Sequence, residues 1–185
     1  MDVRLTSALA AAKLAGLLSR RLGAGGGTAL PGEVAARIDP AALRKLAGRL
    51  AGGSVVVTGT NGKTTTSRLV ASVLAEAGWR PVHNRAGANL LSGVTSALAD
   101  RTGLLGQPSG DIGIFEVDEA VMPEAVARLA PRVVVVTNLF RDQLDRYGEV
   151  DYLAGLWREA TSGLLASDIV VLNADDPLVA SLGGC

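Results

Sequence analysis

The chain has 185 residues, enough for one sizeable core and a small appendage. Its 18 basic residues balance 18 acidic ones and aromatic residues make up 3%, so it offers neither a broad cationic surface nor stacking platforms, and no nucleic-acid partner is expected. The single cysteine, Cys185, is the last residue; one thiol forms no internal disulfide, carries no metal-site signal and fits a reducing cytoplasm.

Residues 5–22 run through alanines and leucines after Arg4, but Lys13, Arg20 and Arg21 leave too short an apolar stretch to span a bilayer. Leu5, Leu9, Leu17 and Leu18 fall broadly on one helical face, which predicts an amphipathic docking helix. Its apolar face either covers the core, the commoner case, or rests on a membrane surface. The glycine-rich run 23–32 reads as a loop. Asp39-Pro40 then reads as an N-cap with proline in the first helical position, opening a helix that ends near Gly52-Gly53. Residues 1–52 are therefore expected to form a short helical N-terminal segment.

From residue 53 onward, β-rich apolar runs alternate with helical patterns. Strands are expected near 54–58, 80–84, 111–117, 132–137 and 168–172, with helices near 63–77, 91–101, 120–130 and 152–165. That alternation predicts an α/β domain, a parallel sheet with helices on both faces. The first strand enters Thr58-Gly59-Thr60-Asn61-Gly62-Lys63-Thr64-Thr65-Thr66 and then a helix. Strand, glycine turn and helix start together make a phosphate-binding loop. Gly59 and Gly62 permit dihedrals and close approaches that a side chain would block, and the backbone N–H groups at the helix start point at an anion. Lys63 supplies a mobile positive charge for the β- and γ-phosphates, and the Thr64 hydroxyl is placed to ligate the magnesium that accompanies a nucleotide. Val57 stands where the general pattern places its first glycine, so the loop is a shortened form.

Ligands of open parallel sheets sit beyond the carboxyl ends of the strands. The third strand ends in Phe115-Glu116-Val117-Asp118-Glu119, and a carboxylate there, beside a phosphate loop, commonly holds magnesium. A solvated or helix-capping acid is the plainer alternative. It suits Asp118 and Glu119, which precede a helix, better than Glu116, which follows Ile114-Phe115; Glu116 is the metal candidate. After the second strand, Asn84 and Asn89 flank Gly87 and are candidate substrate contacts, with a purely backbone role in the turn an equal alternative. The one histidine, His83, has no cysteine or spaced acid beside it to form a nucleophilic pair and reads as structural or at most substrate-facing.

The seven residues Gly59-Thr60-Asn61-Gly62-Lys63-Thr64-Thr65 resemble the loop of the Mur ligase superfamily, ATP-dependent enzymes that activate a carboxylate and join it to an amine. Thr137-Asn138, the segment Asp142-Gln143-Leu144-Asp145, and Asn173-Ala174-Asp175-Asp176-Pro177 extend the likeness. The resemblance implies a catalytic role for Asn138 beside Lys63 and Glu116, and a nucleotide contact for Asn173. Gln143 stands where the superfamily usually has histidine, which puts its second metal site in doubt. Fewer than 60 residues precede the loop, too few for the domain that holds the uridine nucleotide in peptide-adding Mur ligases. With Gly25 to Gly32, Asn84 to Leu90, Glu116 to Ala120 and Arg141 to Gly148 added, the chain resembles the MurT family of lipid II isoglutaminyl synthase subunits over essentially its whole length.

That resemblance implies ATP-dependent amidation of the D-glutamate α-carboxylate in the lipid II stem peptide. The route is an acyl phosphate, with ammonia delivered by a GatD-type glutaminase partner. It further implies magnesium as cofactor, a cytoplasmic position at the inner membrane face, and later segments that include a closing ligase domain and a zinc-binding insertion. None of those segments follows residue 177 here, so residues 53–185 are expected to be the ATP-binding central domain alone, inactive by itself, and Cys185 takes no zinc assignment. Two other readings stand beside it. One is a different Mur-type amide-forming ligase such as a folylpolyglutamate synthase, disfavoured by the short N-terminus and Gln143; the other is a non-catalytic nucleotide-binding module that regulates a partner.

Overall fold

The structure, a computed structural model, describes residues 2–21, 29–84, 87–140 and 149–184. Five short strands form one sheet: β1 Ser54–Thr58, β2 Pro81–His83, β3 Ile112–Glu116, β4 Val133–Val136 and β5 Ile169–Leu172. They are ordered β2-β3-β1-β4-β5 and every pairing is parallel. Strands in the middle of a parallel sheet are covered on both sides, which is why their sequences read as unbroken apolar runs; β1 and β3 are buried throughout. All five fall within two residues of the positions expected from sequence.

Helix α4 (Lys63–Glu76) packs on one face, where Val70, Ala71 and Leu74 meet Val55, Val57, Ile112 and Ile114. The opposite face carries the larger core, with Val56, Phe115, Val134 and Val136 under α3 (Ala42–Ala47), α5 (Leu91–Asp100), α6 (Met122–Leu129) and α7 (Glu149–Ser162). Helices thus lie on both faces, as expected, but unequally. On the α4 side Ile169 and Val171 of β5 remain 56% and 48% exposed.

Helices α1 (Val3–Arg21) and α2 (Leu30–Ile38) pack on one another and on α5, and share the larger core with the sheet. The buried face of α1 is Leu5, Ala8, Leu9, Ala12, Gly16 and Ser19. Leu17 and Leu18, expected on that face, are instead 53% and 51% exposed. At about 100° per residue, the eight positions from Leu9 to Leu17 overshoot whole turns by about 80°, and Leu18 falls opposite Leu9. No described helix is long and apolar enough to cross a membrane.

Two further expectations are corrected in this region. Residues 30–32, read as loop, begin α2, because proline is tolerated in a first helical turn where its missing N–H has no intrahelical partner; the Gly32 N–H donates to Ser96 Oγ at 2.7 Å and ties α2 to α5. Gly23 to Thr28 lie outside the described residues. Asp39 ends α2 rather than capping the next helix. Its Oδ1 accepts from the Ala41 N–H at 3.1 Å and its Oδ2 pairs with Lys45 at 2.6 Å. Helix α3 starts only at Ala42 and is over by Gly48. After β5 a short helix α8 (Pro177–Ala180), which the sequence did not suggest, runs into a 3-10 turn at Ser181–Gly184.

Candidate functional site

The connection leaving β1 crosses to β2 on one side of the sheet, while β4 lies on the other side of β1. A crevice therefore opens at the carboxyl end of β1, as strand-order reversals in open parallel sheets produce. It is a cleft of about 300 Å³ lined by residues 60–65 and by Glu116. Of the sequence-predicted residues, the loop and Glu116 come together there.

The loop is seated by close packing. Gly59 has φ 131°, and a Cβ there would overlap Thr137 Oγ1 and lie 2.7 Å from the Asn138 carbonyl oxygen, so only glycine fits. Behind it, Asn138 Oδ1 accepts the Asn61 N–H at 2.8 Å and Asn138 Nδ2 donates to the Asn61 carbonyl at 3.0 Å. Thr137 Oγ1 donates to the same carbonyl at 2.7 Å, and Thr60 Oγ1 accepts the Phe140 N–H at 3.0 Å. Asn138 thus positions the loop from behind and is not among the residues lining the cleft. Gly62 has φ 84°, and a Cβ there would meet nothing within 4 Å; its constraint is the left-handed backbone, and the space before it is open. Helix α4 begins at the next residue without a side-chain cap, leaving first-turn N–H groups available to an anion at the positive end of the helix dipole.

Glu116 is 4% exposed, and the Thr64 hydroxyl lies 3.0 and 2.9 Å from its two oxygens. Adjacent corners of a magnesium octahedron are about 3 Å apart, given metal–oxygen distances of about 2.1 Å. An alcohol oxygen and a carboxylate oxygen at that separation are a hard donor pair that fits magnesium. Among the described residues, no group of three or more His, Cys, Asp or Glu side chains is clustered as for a protein-only metal cage.

Lys63 is folded back into its own loop. Its ammonium donates to the Gly59 carbonyl, to the Thr60 carbonyl at 3.1 Å and to Glu119 Oε2 at 3.2 Å. Glu119, read from sequence as a solvated or capping acid, is instead 18% exposed at its side chain and paired with Lys63, itself 13% exposed. Asp118 does act locally, with its Oδ1 accepting the Ala120 N–H at 3.3 Å. Sequence position alone, three residues past the metal candidate at the same strand end, does not separate these roles, because its partner lies 56 positions away.

Asn84 is corrected more sharply. It is completely buried, donating from Nδ2 to the Ala88 and Glu116 carbonyls at 2.7 and 2.8 Å and accepting the Glu116 N–H at 2.9 Å. Both side-chain polar atoms are committed to backbone, so it holds Glu116 and has no free polar group to offer a substrate. Asn89 is partly exposed, with Nδ2 3.4 Å from Asp118 Oδ2. Asn173 lies at the end of β5, two strands from β1, and its Oδ1 accepts the Asp175 N–H at 3.1 Å; it closes its own turn and does not line the cleft. The run's structural anchor is Asp176, 4% exposed. Its Oδ1 caps α8 through the Leu178 and Val179 N–H groups, and its Oδ2 accepts the Leu139 N–H at 2.7 Å.

His83 sits half-buried on the same face of the sheet as Glu116, with its Nε2 enclosed and unpartnered among the described residues. Burial holds its pKa below the ordinary histidine value and the Arg68 guanidinium lowers it further, against the opposing pull of the Glu116 carboxylate. Asp142, Gln143 and Asp145 lie outside the described residues.

A family model for the Mur ligase middle domain matches residues 57–183. The MurT subunit of lipid II isoglutaminyl synthase (glutamine-hydrolyzing) from Staphylococcus aureus strain N315 is 39% identical over 180 residues, covering 97% of this chain and 39% of the relative. The Streptococcus pneumoniae R6 MurT subunit is 35% identical over 179 residues, covering 96% and 38%. The chain thus spans about two fifths of the length of these relatives. A crystal structure of MurF from Acinetobacter baumannii superposes with a TM-score of 0.65 at 19% identity, covering 82% of this chain and 32% of that one; at that identity the likeness concerns the fold.

Proposed function

Because this chain belongs to the Mur ligase family, we propose that it supplies the ATP site of an ATP-dependent carbon–nitrogen ligase of peptidoglycan synthesis. The reaction is amidation of the D-glutamate α-carboxylate of the lipid II stem peptide to D-isoglutamine. The observation that carries the reading is the meeting of Thr64 with both oxygens of buried Glu116 beside an uncapped helix start and Lys63. Nucleophile activation is not what these residues offer. Phosphoryl transfer to a carboxylate asks mainly for positioning and charge neutralisation, and each has a part in that. First-turn N–H groups and Lys63 hold the phosphates, Gly59 and Asn138 fix the loop, and Thr64 with Glu116 would hold magnesium. Magnesium held there would supply charge neutralisation for the phosphoryl group in transfer. The transfer moves the γ-phosphoryl group onto the α-carboxylate and releases ADP. Ammonia then attacks the acyl carbon and phosphate leaves, giving the amide.

The amidation assignment rests on the 39% and 35% identity to MurT subunits across nearly the whole chain. In this reading the ammonia comes from a GatD-type glutaminase, the lipid-linked substrate is met at the cytoplasmic membrane face, and Asn89 and Asn173 are candidate substrate and nucleotide contacts in the complete enzyme. The 185 residues bind nucleotide and do not amidate alone. Calorimetric titration with a non-hydrolysable ATP analogue and magnesium tests the site. Lys63→Ala should weaken binding about ten- to hundredfold through loss of a charged hydrogen-bond donor, and Glu116→Gln should remove the magnesium dependence. Unchanged titrations would refute the phosphate-loop assignment. Mass spectrometry of the stem peptide tests the rest, since turnover by this chain with ammonia alone contradicts the need for further protein.

A further inference from the structure

We propose that Glu119 is a positioning residue that parks Lys63 while the site is empty and gives it up to the nucleotide. The inference rests on the phosphate-loop reading above and deepens it.

An ammonium group has three N–H donors, and here all three are occupied, by the Gly59 carbonyl, the Thr60 carbonyl and Glu119 Oε2. The cation is 13% exposed at its side chain, so it has little water to turn to. A phosphate must displace one of these partners to reach it. Two are backbone atoms of the loop, which packs closely on Thr137 and Asn138 at Gly59 and is held by their hydrogen bonds at Asn61. Glu119 is the partner that can leave by side-chain rotation. It is also the one carrying charge, so its removal changes both the position and the electrostatics of Lys63.

Glu119 is itself held in place. Its carbonyl accepts the indole N–H of Trp157 at 2.9 Å, and Trp157, on α7, is wholly buried. The carboxylate therefore stands on a turn fixed by the core, opposite the loop. Entry becomes conditional on a ligand able to outcompete a carboxylate for Lys63, which a magnesium-bound polyphosphate is equipped to do through its several other contacts with the loop.

Structural damage weakens binding, whereas unparking strengthens it, so the sign of the effect is the test. Calorimetry of this chain with magnesium and a non-hydrolysable ATP analogue should show Glu119→Gln binding about tenfold tighter than wild type, the scale of one charge-assisted hydrogen bond. Most of that gain should vanish in a Lys63→Ala background, as coupled residues require. If Glu119→Gln proves unstable by thermal unfolding, Glu119→Asp keeps the charge, shortens the reach and should also tighten binding. Unchanged or weaker binding overturns the inference, as does a gain that persists undiminished without Lys63. A wild-type chain that binds no nucleotide overturns the phosphate-loop reading and this inference with it; a wild type that binds, with variants that bind no tighter, overturns this inference alone.

Discussion

Asn84 carries the sharpest stability prediction, because the sequence offered it as a substrate contact and the structure makes it the splint of Glu116. Its side chain is fully buried and makes three hydrogen bonds to backbone, two of them to the N–H and carbonyl of Glu116. Asn84→Ala removes all three and leaves those groups enclosed without partners. Net hydrogen bonds contribute about 1 kcal/mol each and stranded buried groups cost more, so a loss of about 2–4 kcal/mol is expected. For a domain of this size that is a fall in Tm of roughly 5–15 °C.

Asn84→Asp separates the hydrogen-bond argument from a packing one, because the side chains are nearly isosteric. The introduced carboxylate keeps the acceptor for the Glu116 N–H but turns a second oxygen toward two carbonyls. Ionised, it is repelled and desolvated, so at pH 7.5 this variant should be less stable than Asn84→Ala. The folded state then favours the protonated acid and raises its pKa above the unfolded value, so the penalty should ease as pH falls toward 5. Urea unfolding at pH 7.5 and pH 5.5 measures both effects. Wild-type stability in Asn84→Ala, with only a raised substrate KM in the complete enzyme, would refute the assignment and restore Asn84 to the substrate.

Gly59→Ala should cost about 2–4 kcal/mol, combining an unfavourable φ with overlap against Thr137, and should abolish calorimetric nucleotide binding even where the domain stays folded. Asp176→Ala should lower stability by about 2–3 kcal/mol in urea unfolding, since it removes the cap of α8 and the acceptor for Leu139 together. His83 has a depressed pKa in the folded state, so the unfolded chain binds more protons. Its contribution to stability is present above about pH 6.5 and is lost as pH falls toward the folded value. His83→Asn should flatten that part of the stability–pH curve, whereas Asp2 and Asp111, lowered chiefly by hydrogen bonds from Lys45 and Arg80, lose their contribution only at more acid pH. A slope between pH 5 and 6.5 that survives His83→Asn would contradict this account.

The sheet was legible because each central strand, covered on both faces, had to be a short β-branched run, and the glycine loop between the first strand and its helix announced what lay beyond. The loop's own residues were legible for the same local reason: dihedral freedom and helix-start N–H groups belong to contiguous sequence. What escaped depended on neighbours far along the chain. Glu119 meets Lys63 across 56 positions and Asn84 meets Glu116 across 32, and nothing local to either residue distinguishes a capping acid from a lysine partner or a turn asparagine from a splint. Leu17 and Leu18 failed for a different reason, since a loosely judged helical face ignored the drift of the 3.6-residue period over eight positions.

The division between local and distant determinants also bears on how the site works. The atoms that would touch phosphate are set by the loop's own sequence, but they are braced by residues that do not line the cleft: Asn138 behind Asn61, Asn84 around Glu116, and Trp157 beneath Glu119. Preorganised donors are effective because they need little rearrangement when charge shifts, so these supports should govern nucleotide affinity without contacting the nucleotide. Asn138→Ala tests this directly. It removes both bonds to Asn61 while leaving every cleft-lining side chain in place, and the freed loop must be ordered again on binding. Affinity for the ATP analogue should fall about tenfold, with a more unfavourable binding entropy in calorimetry. A fall of that size carried wholly by enthalpy would instead indicate a direct contact between Asn138 and the nucleotide, and would return this residue to the catalytic role that the family resemblance implied.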